Sequence, residues 1–172
     1  SITSKSSLIK KIYVPKYLYP LSRVISSFII FLISLVPLIL IMIVTKVQFT
    51  KMTLLILYPL VCLFFISLGV GLVLATINVF FRDMQHLYSV VLLVIMYASA
   101  IFYSADIINP QYVAILNLNP IFPVIQVFRD CILTGQITAT YSWLLCAMYA
   151  IVSVIIGMIM FYKNQDKFIL HI

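Results

Sequence analysis

Few side chains in this 172-residue sequence can do acid–base or ligand chemistry. Carboxylates occur at Asp83, Asp106, Asp130 and Asp166, imidazoles at His86 and His171, and thiols at Cys62, Cys131 and Cys146; there is no Glu. An enzyme working inside a membrane needs an acid, a base or metal ligands gathered at one point. Asp83 and His86 stand together in mid-chain, and Asp106 follows His86 by 20 residues of mostly apolar sequence (106 − 86). Along one helix that separation is about 30 Å, so these groups cannot share a reaction centre. The thiols have neither metal-site nor disulfide spacing and read as small packing residues. His171 reads as a surface side chain of a polar tail. No Gly-x-x-x-x-Gly-Lys run occurs, so the chain alone cannot cradle nucleotide phosphates. No carboxylate falls inside a long apolar block, which leaves a proton relay or cation-coupled site without ligands. We therefore expect no catalytic residue, no metal ligand and no cofactor.

The elements that carry these residues follow from hydropathy. The chain is 65% hydrophobic and 9% charged, with mean hydropathy +1.22, where a soluble domain carries about 25% charged residues. Apolar blocks near 20 residues long imply an all-α integral membrane protein. The net charge of +7 is no sign of nucleic acid, because the basic residues cluster beside block ends, where they set orientation. Spans are predicted at about 24–44, 54–81, 87–104 and 143–161. Pro37 is a tolerated kink in the first, and Gly69, Gly71 and Ala75 offer the second a small-residue face. Trp143 and Tyr162 suit the interfacial belts of the last. Residues 1–23, basic and aromatic, read as a cytoplasmic segment along the membrane surface, with Pro15 and Pro20 breaking any long helix. Residues 162–172 form a cytoplasmic tail.

Between the second and third spans runs Asn78-Val-Phe-Phe-Arg-Asp-Met-Gln-His86. Arg82 and Asp83 are the only formal charges between Lys51 and Asp106. A charge at mid-bilayer costs roughly 2.5–3.5 kcal/mol, so they mark a water-facing turn, and Asp83 also suits the N-terminus of the next helix. The stretch 105–142 is apolar but broken by Asn109-Pro110, Asn119-Pro120 and Pro123, and 121–133 is too short to span. It reads as a re-entrant element, with a short helix from Ile121 to Thr134 ended by Gly135. On that helix Arg129 neighbours Ile125, while Asp130 points about 100° away. Charge then fixes sidedness. With four spans, one side carries Lys5, Lys10, Lys11, Lys16, Arg23, Arg82, Lys163 and Lys167; the other carries Lys46, Lys51 and Arg129. The richer side is cytoplasmic, so both termini are expected there and the re-entrant element outside.

Aromatic residues make up 14% of the chain. Tyr58, Phe65, Tyr97 and Phe102 can line a path where sugar rings slide on aromatic faces; they equally suit packing, lipid contact or an interfacial belt.

Four motifs in order, over the whole chain, complete the reading. Leu8-Ile-Lys-Lys-Ile-Tyr-Val-Pro-Lys16 runs into Pro20-Leu-Ser22. Phe80-Phe-Arg-Asp83 lies just ahead of His86, Asn119-Pro120 precedes Arg129, and Tyr162-Lys-Asn-Gln-Asp-Lys-Phe168 lies near the end. In this order the chain resembles the permease subunit of polysaccharide-exporting ABC transporters, the type-2 permeases that move lipid-linked O-antigen, capsule or teichoic acid. The resemblance implies a subunit of six spans, of which this chain holds the third to sixth, and a longer protein upstream of Ser1. It implies that Lys10, Lys11, Pro15 and Lys16, with Arg82 and Asp83, couple to a separate ATP-binding subunit. Lys16 departs from the Arg of many members and lacks its bidentate fork. Asp106, Asn119, Pro120 and Arg129 fall in the external exit gate, where Arg129 either bridges to Asp106 or meets an anionic lipid diphosphate. The implied partners are a second permease, the ATPase, membrane lipid and a lipid-linked polysaccharide, in the bacterial cytoplasmic membrane. A type-2 permease for drugs or lipids, a membrane enzyme of cell-wall assembly and a structural subunit remain the alternatives.

Overall fold

The computed structural model describes residues 18–46, 51–80, 84–99, 107, 109–137 and 140–164. Lys10, Lys11, Pro15, Lys16, Arg82, Asp83, Phe102 and Asp106 lie outside the described residues.

The described chain is helical. α1 spans Leu18–Val44. A 3-10 helix, Lys51–Ile56, leads into α2, Leu57–Phe80. α3 is Met84–Ala98, α4 is Pro110–Leu116 and α5 is Ile121–Arg129. A π-turn, Asp130–Thr134, continues α5, and α6 spans Thr140–Asn164. Among the described residues, three helices are long and apolar enough to cross a membrane: Leu18–Val44, Thr53–Ile77 and Thr140–Asn164. The third predicted span is represented by the shorter apolar helix Leu87–Ala98; the last part of its predicted range, 100–104, lies outside the described residues.

The boundaries differ from expectation where proline and capping decide them. α1 begins at Leu18, six residues before the predicted Val24, so Pro20 does not break the helix. It sits in the first turn, where a missing N–H costs nothing because that group has no intrahelical partner. Pro37 lies within α1, as expected of a membrane helix. α1 stops after Val44. There Lys46 takes a left-handed conformation (φ 53°) and the Thr45 hydroxyl turns back to the Ile41 carbonyl at 2.8 Å. α6 begins three residues ahead of Trp143.

α2 and α6 form the centre, and they run the same way. Tyr58 meets Trp143 at one end, the Gly69 backbone meets Ser153 and Gly157 midway, and Leu72 packs with Phe161 at the other end. Between these contacts the buried residues Cys62, Ile66, Cys146 and Ala150 share one core with Val124, Val127 and Cys131. Contact positions recur every three to four residues on both helices, the spacing of near-parallel packing. Gly69 is what permits the close approach: a Cβ on it would run into the Ser153 carbonyl group, and one on Gly157 would sit 2.5 Å from the Gly69 carbonyl oxygen. The expected single small-residue face is divided. Gly71 lies about 200° round the helix from Gly69 and faces Val24 of α1 instead.

α1 runs opposite to α2. Val24 stands at Gly71, and Phe28 makes an edge-on contact with Phe64 at 4.9 Å between ring centroids. Near the start of α1 and the end of α6 the helices diverge. An apolar cleft of about 370 Å³ opens there, lined by Pro20, Leu21, Val24, Leu72, Phe161 and Tyr162. The outward faces of α1 and α3, with Ile30, Ile33, Leu40, Val90 and Val94, are exposed apolar surface, as expected of helices whose surroundings are lipid or other helices.

Candidate functional site: the broken helical element

Residues 109–137 build a compact element beside the starts of α2 and α6. Its local structure follows from its proline and asparagine punctuation. Pro110 opens α4, where its fixed φ suits the first turn. Asn119 then starts α5, with its side-chain oxygen accepting from the Ile121 N–H at 3.0 Å. Pro123 falls within the first turn of α5 and forfeits no helical bond. At the far end Gly135 adopts φ 61°, and its N–H closes on the Asp130 carbonyl at 3.0 Å. The expected helix from Ile121 to Thr134 is therefore present, with its last five residues wound as a π-turn.

Three long-range tethers hold this element in place. The Asn119 amide donates to the Ser99 hydroxyl at 2.9 Å and to the Ile95 carbonyl at 3.2 Å, joining α5 to the end of α3. The Tyr149 hydroxyl donates to the Asn117 carbonyl at 2.6 Å, joining the end of α4 to α6. The Trp143 indole donates to the Asp130 carboxylate at 3.3 Å, joining the π-turn to the start of α6. Trp143 also stacks on Tyr58, at 5.1 Å and 19°, and its carbonyl accepts from the Tyr58 hydroxyl at 2.7 Å. Trp143 thus turns toward α2 and the π-turn. Its half-buried indole finds a polar partner, as buried indoles usually do.

Of the predicted gate residues, Asn119 and Pro120 stand at the junction of α4 and α5, and Arg129 is half-buried at the end of α5. The suggested pairing of Arg129 with Asp106 lies outside the described residues. Of the predicted path residues, Tyr58 is engaged with Trp143, while Phe65 and Tyr97 are 43% and 61% exposed. Ser99, Asp130, Trp143 and Tyr149 were not among the predicted site residues; Asp130 and Trp143 alone carried a chemical signal, a carboxylate and a lone Trp in an apolar run. All three cysteines are buried and free. Burial, with the Asp130 carboxylate beside it, pushes the Cys131 thiol up. Among the described residues, no three His, Cys, Asp or Glu side chains could hold a metal ion.

A set of long apolar helices with a short, broken helical element packed at one end defines a polytopic α-helical membrane protein. Residues 7–133 match the ABC-2 type transporter family, and the chain belongs to it. It is 25% identical over 170 residues to the O-antigen export system permease protein RfbA of Klebsiella pneumoniae, covering 98% of this chain and 65% of that protein. It is 27% identical over 104 residues to the polysialic acid transport protein KpsM of Escherichia coli, covering 60% of this chain and 40% of that one. The chain therefore spans just under two thirds of the length of the O-antigen permeases it matches.

Proposed function

We propose that this chain is the membrane-spanning part of a permease that moves a lipid-linked cell-surface polysaccharide outward across the bacterial cytoplasmic membrane, driven by a separate ATP-binding subunit. The observation that carries the reading is the alignment with an O-antigen export permease over 98% of the chain. The arrangement of the helices supports it, with residues 109–137, the outer element in this reading, packed where α2 and α6 begin. In this reading two permeases work with two ATPases. Lys10, Lys11, Pro15, Lys16, Arg82 and Asp83 face the ATPase, and Asn119, Pro120 and Arg129 belong to the exit gate with Asp106. Tyr58, Phe65, Tyr97 and Phe102 remain candidates for the glycan path, and the chain itself hydrolyses nothing.

The test is reconstitution of the full-length permease with its ATPase in vesicles. Lipid-linked polysaccharide is expected to stimulate ATP hydrolysis severalfold, and Lys10→Glu with Lys11→Glu is expected to abolish the stimulation while the permease still inserts. Stimulation by drugs or plain phospholipid instead would move the assignment to another type-2 permease. Stimulation unchanged by the charge reversal would reject the coupling segment.

Sidedness is tested separately. Single cysteines at Thr50 and Gln136 are expected to react with an impermeant maleimide on intact cells, and those at Gln85 and Asn164 only after permeabilisation. The native thiols are buried, so background labelling is low. Labelling of position 164 from outside would overturn the cytoplasmic placement of the termini.

A further inference from the structure

Asp130 is the only carboxylate among the described residues, and it is 3% exposed. A carboxyl group so buried is costly unless hydrogen-bond partners replace water, and the residues after it in the turn are Cys131, Ile132 and Leu133. Asp130 acts on both sides of that turn. Its backbone carbonyl accepts from the Thr134 hydroxyl at 3.1 Å and the Gly135 N–H at 3.0 Å, which shapes the π-turn. Its side chain accepts from the Trp143 indole on α6. Trp143 is in turn fixed by stacking on Tyr58 and by the Tyr58 hydroxyl. Three separate stretches, at the starts of α2 and α6 and the end of α5, therefore meet through one indole. Behind this contact lies the core of Val124, Val127, Cys131, Cys62 and Cys146. π-turns are uncommon and concentrate at functional positions.

We propose that Asp130 is the positioning residue of the outer element: by holding the Trp143 indole, it locks the π-turn onto the α2–α6 pair and closes the core behind it. Export depends on this closure. The export half of the statement rests on the proposed function; the closure half does not. Cys131, adjacent to Asp130 and 1% exposed, is a native reporter, because a thiol reacts with maleimide only when reagent reaches it.

The experiment uses full-length protein in cells, with an impermeant maleimide and a Cys131→Ser control to assign the label. Trp143→Phe keeps the ring and removes the donor. Asp130→Leu removes the acceptor, and Asp130→Asn keeps one acceptor oxygen. Trp143→Phe and Asp130→Leu are expected to speed Cys131 labelling at least tenfold and to lose most surface polysaccharide, at unchanged protein level in the membrane. Asp130→Asn is expected to stay within about twofold of wild type in both measurements. Slow labelling in both disruptive variants would overturn the proposal, whatever happens to export. Fast labelling with full export would overturn it too, as would Asp130→Asn behaving like Asp130→Leu. If the polysaccharide assignment itself were mistaken, depletion of the wild-type protein would leave surface glycan unchanged while the labelling contrast persisted, so the two failures are separable.

Discussion

Protein carrying leucine at position 69 is expected to disappear from the membrane fraction. Gly69 sits where the backbones of α2 and α6 come closest. A Cβ there would overlap the Ser153 carbonyl group and lie 2.6 Å from the Val154 nitrogen, and both obstacles are main chain. Overpacking a core costs typically about 1–3 kcal/mol when side chains can rearrange. Here neither helix can yield without separating along its length, so the cost lies at or above the top of that range. Gly157→Leu is expected to fail for the reciprocal reason, since its added carbon would meet the Gly69 carbonyl oxygen. Gly71→Ala is the control. Its Cβ would approach only the Val24 Cγ2 atom, at 2.9 Å, a side-chain atom on a helix with lighter attachments, and near-normal levels are expected. Immunoblots of membrane fractions and thermal unfolding of the purified complex provide the measurements. A Gly69→Leu protein at wild-type abundance and stability would refute the close-crossing argument.

The second large effect is expected at Asn119. Replacing it by leucine removes two donations to the end of α3 and the acceptor that starts α5. At about 1 kcal/mol for each hydrogen bond, the loss approaches 3 kcal/mol. It also leaves the fully buried Ser99 hydroxyl without its donor. Because these bonds connect the outer element to α3 and not within the α2–α6 core, the protein is expected to accumulate normally while surface polysaccharide falls at least tenfold. Asn119→Asp, which keeps the oxygen that accepts from the Ile121 N–H but not the donors, is expected to be intermediate. Full export by the leucine variant would show that this junction does not matter to transport.

The parts of the fold legible in the sequence are those written locally. Long apolar blocks announced the helices, and Asn119-Pro120, Pro123 and Gly135 bracketed α5 and its π-turn within a residue, because each of these residues acts through its own backbone. The start of α1 was misplaced because a proline within a run reads as a breaker, whereas Pro20 occupies a first turn where it is harmless. The tethers of the outer element were not legible. Asn119 to Ser99, Tyr149 to Asn117 and Tyr58 to Trp143 join residues 20, 32 and 85 positions apart, and no local pattern marks which residue pairs with which. The same limit hid the division between Gly69 and Gly71. Spacing shows that the two point apart, but only the packing of α1 and α6 shows that both directions are occupied.

The shared direction of α2 and α6 imposes a rule of parity. Two helices that enter the same layer from the same side require the chain between them to return across it an odd number of times. In the four-span expectation that return is the segment that includes α3. α4 and α5, with 7 and 9 residues, reach about 10 and 14 Å, too short to add a passage through a layer of about 30 Å. Within this segment, relatives can lengthen or trim the outer element freely, but any further full crossing must come with a second. A single added crossing would invert α6 against α2, and Gly157 could no longer seat against the Gly69 backbone.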